Sequence, residues 1–189
     1  FSYAADDGNL DYYFLGGETL RDVIGNYTYL TGTTPLPQLW TLGYQQCRWG
    51  YESAQDIQDV AEHFRSLQIP CESVQYDIDY MQQFKVFTWD EENYGKKGEL
   101  FATLAQKGFK PVVIIDPGTK LEPGYMMYEE GMKNDYFAKD KNGEVYVNEV
   151  WPGEANYPDF GRKEVRDWWG EHIKFLTDMG VGGIWNDMN

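Results

Sequence analysis

The sequence predicts an α/β fold: the first half of a (β/α)8 barrel, about four βα units long, entered through a short preceding segment. Three observations carry that prediction. Short apolar runs alternate with amphipathic stretches in the order strand, helix, strand, helix, strand, helix, strand, the pattern of parallel strands joined by helical crossovers. Each apolar run ends in polar residues (45–49, Asp77, Asp116 and Asp187). Such convergence marks the catalytic face of a barrel, although a doubly wound sheet obeys a similar rule. No glycine-rich dinucleotide or phosphate fingerprint follows the first run, which counts against the nucleotide-binding version.

Residues 1–34 form the entry. Turn signals (Asp6-Asp7-Gly8-Asn9 and Gly16-Gly17) flank a strand-like run at 10–15, and 19–30 reads as a helix. A boundary falls near Thr34, where Pro35 and Pro37 stiffen the chain. Residues 35–189 hold the alternation. The run 39–44, Leu-Trp-Thr-Leu-Gly-Tyr, reads as a buried strand. Residues 53–68 place Ile57, Val60, Ala61, Phe64 and Leu67 on one helical face, with Ser53 as N-cap. A strand at 73–78 and a helix at 97–107 follow, the helix closed by Gly108. Residues 110–116, with Val112-Val113-Ile114-Ile115, are the clearest strand, ended by Asp116-Pro117-Gly118. Residues 119–160 read as a long aromatic loop, 162–179 as a third helix stopped at Gly180, and 182–185 as the last strand.

Composition narrows the function. Aromatics make up 17% of the chain, with 15 Tyr and 7 Trp; most serve packing, and flat rings also suit sugar faces. A formal charge of −15 argues against nucleic acid or an anionic membrane surface and suits a neutral substrate. Cys47 and Cys71 make neither a disulfide framework nor a zinc pattern. No metal or cofactor is expected. No apolar run approaches a membrane span, and the opening residues read as the middle of something.

The carboxylates at the strand tips are the candidates for chemistry. Asp187, framed by Trp185, Asn186, Met188 and Asn189, is the sharpest, and the plain alternative is a helix cap. Asp77 and Asp79 alternate along one predicted strand, so one is expected to face the barrel mouth and the other the helical layer. Asp116 before Pro117 reads as a turn residue. His63 and His172 lie on helices without ligand spacing and read as structural. Arg48, beside Trp49, suits either a carboxylate partner or the surface.

Five blocks then resemble glycoside hydrolase family 31, in order: Leu42-Gly43-Tyr44-Gln45-Gln46-Cys47-Arg48-Trp49-Gly50-Tyr51, Tyr76-Asp77-Ile78-Asp79-Tyr80-Met81, Val113-Ile114-Ile115-Asp116-Pro117, Val150-Trp151-Pro152-Gly153 and Trp185-Asn186-Asp187-Met188-Asn189. The resemblance implies a TIM-barrel α-glucosidase that releases glucose from non-reducing ends with retention. It implies Asp187 as nucleophile, Asp77 as the holder of the remote hydroxyls, and Ile78, Ile114, Trp151, Trp185 and Met188 as pocket walls. Trp49 stands where many α-glucosidases have Tyr, which leaves linkage preference open. Residues 1–34 resemble the last strand and exit of the family's preceding β-sandwich domain. The acid/base Asp is expected beyond the fourth strand, so residues 1–189 alone are expected to be inactive, with the remainder of the barrel as partner and an oligosaccharide or disaccharide α-glucoside as substrate. An α-xylosidase, an α-glucan lyase and a non-catalytic carbohydrate-binding domain remain as alternatives. The low cysteine count fits a cytoplasmic bacterial enzyme.

Overall fold

The computed structural model describes residues 2–4 and 8–188, and the chain divides into two compact units, Phe1–Gln38 and Leu39–Asn189. In the first unit helix α1 (Leu20–Thr31) starts at a reciprocal cap. The Thr19 hydroxyl accepts the Asp22 N–H, and the Asp22 carboxylate accepts the Thr19 N–H at 2.9 Å. The expected strand at 10–15 does not form among the described residues. Tyr12, Tyr13 and Phe14 are exposed, and no strand among the described residues of the unit supplies a ladder partner. Asp6 and Asp7, read as turn residues, lie outside the described residues.

The second unit is built on a four-stranded parallel sheet in the order β1 (Gln45–Gln46), β2 (Ser73–Tyr76), β3 (Val112–Ile115) and β7 (Gly183–Asn186). The middle strand β3 has a neighbour on each side and is buried throughout, which is why its sequence is uniformly apolar rather than alternating. The first strand is shorter and later than expected. Residues Leu39–Leu42 form a 3-10 turn, with Leu39 and Leu42 exposed, and the Gly43 N–H donates to the Trp40 carbonyl. The cause is register: β2 begins at Ser73 opposite Gln45, so residues before Tyr44 have no strand to pair with.

Three helices follow the expected crossovers. Helix α2 (Ala54–Ser66) is capped by the Ser53 hydroxyl and buries Ile57 and Ala61, while Leu67 stays exposed. Helix α4 (Glu99–Gln106) follows a one-turn helix α3 (Glu91–Tyr94). It ends at Gly108, whose φ of +80° lets the Phe109 N–H reach back to the Leu104 carbonyl. Helix α6 (Lys163–Thr177) precedes β7. Arg65 ties these layers together: it donates to the carbonyls of Lys107 and Cys71 and stacks over Phe109.

The stretch 119–160, expected to be a loop, is instead an ordered excursion. It contains helix α5 (Met126–Lys133) and a three-stranded antiparallel sheet, β4 (Thr119–Lys120), β6 (Gly153–Asn156) and β5 (Val147–Val150) in that order. Glu130 of α5 anchors it to α6, accepting from the Trp168 indole at 2.7 Å and bonding His172 Nε2 at 2.9 Å. Gly131 permits close approach, since a Cβ there would lie 2.2 Å from the Phe137 ring.

Candidate active site

A pocket of about 200 Å³ opens at the C-terminal ends of the parallel strands. It is lined by Trp49, Asp77, Ile78, Ile114, Trp151, Trp185 and Asp187. Each arrives by a different route. Trp49 comes from the loop after β1, Asp77 and Ile78 from the turn after β2, Ile114 from within β3, and Trp185 and Asp187 from the end of β7. Trp151 comes from the turn between β5 and β6 of the excursion. Ile114 and Trp185 sit opposite each other in the parallel ladder, so both side chains leave the sheet on one face.

The turn after β2 differs from the expected strand in a way that bears on its two carboxylates. The strand ends at Tyr76, and a 3-10 turn covers Ile78–Tyr80, so simple alternation does not govern Asp77 and Asp79. The Asp77 carboxylate accepts the Ile78 N–H at 2.8 Å, which fixes its backbone at the pocket edge. Asp79 is partly buried outside the pocket lining, and burial raises its carboxyl above the ordinary range, while the Gly50 N–H and the Trp49 side chain act against that rise. Tyr80, fully buried, donates to the Ile114 carbonyl at 2.7 Å and so braces the pocket floor.

Eight residues are singled out by the sequence, and seven of them line this pocket. Met188 lines a neighbouring depression with Glu149, Val150 and Trp151, so Trp151 is a wall shared by both. Its φ of +54° is an uncommon backbone for a non-glycine residue and turns the chain immediately after Asp187. Arg48 lines another depression on the far side of Trp49, with Asp56, Asp59 and His63. Asn189 lies outside the described residues.

One group with site character is a strand-tip residue to which the sequence assigns no role beyond a turn. Asp116 is buried at the tip of β3, with its Oδ1 lacking any hydrogen-bond partner. Burial, then Asp187 and Asp77, push its carboxyl up to about 6. The available signal was positional: Asp116 ends the third strand where Asp77 and Asp187 end the second and fourth.

Comparison with known proteins places the chain in a family. Residues 34–189 match the family model described as the glycosyl hydrolases family 31 TIM-barrel domain. The chain is 47% identical over its full length to alpha-glucosidase 2 of Bacillus thermoamyloliquefaciens, covering 24% of that protein. Glucosidase II alpha subunit, in a DNJ-bound crystal structure, superposes on 92% of the chain with a TM-score of 0.85 and 36% identity, the match covering 19% of it. A Flavobacterium johnsoniae family 31 dextranase, crystallised with glucose, superposes on 91% of the chain with a TM-score of 0.82 and 32% identity, over 21% of its own length. The chain thus spans about a quarter or less of the relatives it matches.

Proposed function

The chain belongs to glycosyl hydrolase family 31, and we propose that it supplies the glucose pocket and the nucleophile of an exo-acting, retaining α-glucosidase. In this reading the chain is the first half of the catalytic barrel of a longer polypeptide, and residues 1–34 are the exit from a preceding β-sandwich domain. The observation that carries the reading is the meeting of Asp77 and Asp187 in one pocket walled by Trp49, Trp151 and Trp185. The 47% identity to a protein named alpha-glucosidase supports glucose as the sugar.

The chemistry follows from two carboxylates on opposite sides of the scissile bond. Asp187, ionised, attacks the anomeric carbon as the glycosidic bond breaks. A carboxylic acid from the remaining half of the barrel gives its proton to the departing oxygen. A covalent glucosyl ester on Asp187 results. The same acid group, now a base, takes a proton from water, whose oxygen then attacks the anomeric carbon and frees Asp187. Two displacements at one carbon give net retention. Asp77, in the same small pocket, accepts hydrogen bonds from the hydroxyls farthest from that bond. A carboxylate that holds the hydroxyls of a non-reducing end selects a terminal sugar, hence exo-action.

The test is the course of hydrolysis by the whole polypeptide that carries this chain. Proton NMR during hydrolysis of maltohexaose is expected to show α-glucose as the first-formed anomer, with maltopentaose as the only other early product. First-formed β-glucose, or release from internal bonds, would contradict retention or exo-action respectively.

A further inference from the structure

Beside the proposed nucleophile lies a carboxyl that this mechanism does not use. Strands β3 and β7 run in parallel register, with Ile114 opposite Trp185 and Ile115 opposite Asn186. The ladder continues one step, the Asp187 N–H reaching the Ile115 carbonyl at 3.4 Å, so Asp116 and Asp187 leave neighbouring strands at the same level. Side chains two apart on a strand share a face. Ile114, Trp185 and Asp187 line the pocket, and Asp116, one residue past the end of β3, is buried beside it within electrostatic reach of Asp187 and Asp77.

Asp116 is only 6% exposed, and its Oδ1 is buried without a hydrogen-bond partner. No lysine, arginine or histidine pairs with it among the described residues. A buried carboxylate without a cation is costly, and keeping a proton relieves that cost while giving the group an O–H to donate. The groups that face it are Asp187 from β7, Asp77 from the turn after β2, and the Tyr80 phenol. With three carboxyls at one end of the sheet, repulsion falls hardest on the one most removed from water.

We propose that Asp116 is a positioning residue for the nucleophile: it keeps a proton at the tip of β3 and donates a hydrogen bond to the Asp187 carboxylate. That bond fixes the direction of Asp187 and leaves Asp187 as the ionised member of the pair. The proposal rests on Asp187 being the nucleophile, as argued above. Its protonated state matches the upward displacement to about 6. As pH rises through that value the proton leaves, the bond is lost, and two like charges face each other.

The test compares wild type, Asp116→Ala and Asp116→Asn in the whole polypeptide, through pH profiles of kcat and kcat/KM on an aryl α-glucoside. Asp116→Ala is expected to lose about ten- to a hundredfold in kcat, the scale of a hydrogen bond to a charged group. Asp116→Asn presents an N–H donor in the same place and is expected to recover kcat to within about fivefold of wild type. It also lacks the wild-type inflection near pH 6. An Asn variant as impaired as the Ala variant would mean that Asp116 acts as a carboxylate and would overturn the proposal. So would lowered thermal stability with both pH profiles unmoved.

Infrared difference spectroscopy keeps this separate from the function itself. A protonated-carboxyl band lost near pH 6, absent from Asp116→Asn and shifted in Asp187→Asn, supports the proposal. Its absence from wild type, or its indifference to Asp187→Asn, overturns it. Failure of the wild type to hydrolyse any α-glucoside would fell the proposed function, while the band still decides whether Asp116 holds a proton against Asp187.

Discussion

Ile114, on the floor of the pocket, is 1% exposed, whereas Trp49 and Trp151 at its mouth are 69% and 53% exposed. The floor comes from the parallel sheet, in which β3 is held on both sides and β7 is paired along its length with β3. The mouth comes from the loop after β1 and from a turn of the antiparallel excursion. Floor residues are therefore placed by a ladder that a single substitution does not shift, and rim residues by local turns that vary at little cost. The division suggests that chemistry and recognition of the first sugar belong to the floor, and choice of leaving group to the rim.

Substitutions graded from floor to rim sharpen that division. The largest effect is expected at Asp187: replacement by Ala in the whole polypeptide should lower kcat by about four orders of magnitude or more, since no covalent intermediate forms. Azide, standing in as a small external nucleophile, should restore part of the turnover. Next comes Asp77→Ala, expected to lower kcat/KM by about a hundred- to a thousandfold through unpaired substrate hydroxyls. Deoxy-glucosides lacking those hydroxyls should show a much smaller loss. Equal losses on both substrates would remove Asp77 from the role given to it.

Asp116 ties the floor to stability. Its carboxyl stands at about 6 in the folded chain, above the roughly 3.9 of an unfolded Asp. Between those values the folded state binds more protons than the unfolded one. Its favourable contribution is therefore complete below about pH 4 and lost as pH rises through about 6. The full swing is on the order of 3 kcal/mol. Asp116→Asn should flatten this decline in the melting temperature, and parallel curves for the two proteins would contradict the assignment.

The smallest effect is expected at the rim. Trp49→Tyr should alter the ratio of rates on α-1,4- and α-1,6-linked disaccharides by less than about tenfold, mostly through KM. A drop in kcat on every substrate alike would break the division between floor and rim.

The same division explains what was legible in the sequence. β3 is readable because four consecutive apolar residues closed by Asp116-Pro117-Gly118 have few other uses. Helix α2 is readable from its Ser53 cap and its buried Ile57 and Ala61. The excursion is not: Val147–Val150 and Gly153–Asn156 carry no alternation, and their order comes from cross-strand pairing. The apolar run at 39–44 misleads for the opposite reason, looking like a strand where no partner begins until Ser73. For the site, the strand-tip rule leads to Asp77 and Asp187. It reaches Asp116 as well, but Asp-Pro-Gly is locally indistinguishable from a turn, and burial without a partner is a property of three dimensions that only the structure adds.

The most direct test of the central claim is covalent trapping. The whole polypeptide is treated with 5-fluoro-α-D-glucosyl fluoride, a substrate whose intermediate breaks down slowly, and its peptides are analysed by mass spectrometry. The account predicts a single fluoroglucosyl adduct on Asp187, formed as activity is lost and released as activity returns. An adduct on any other residue, or turnover of the reagent with Asp187 never labelled, would contradict it.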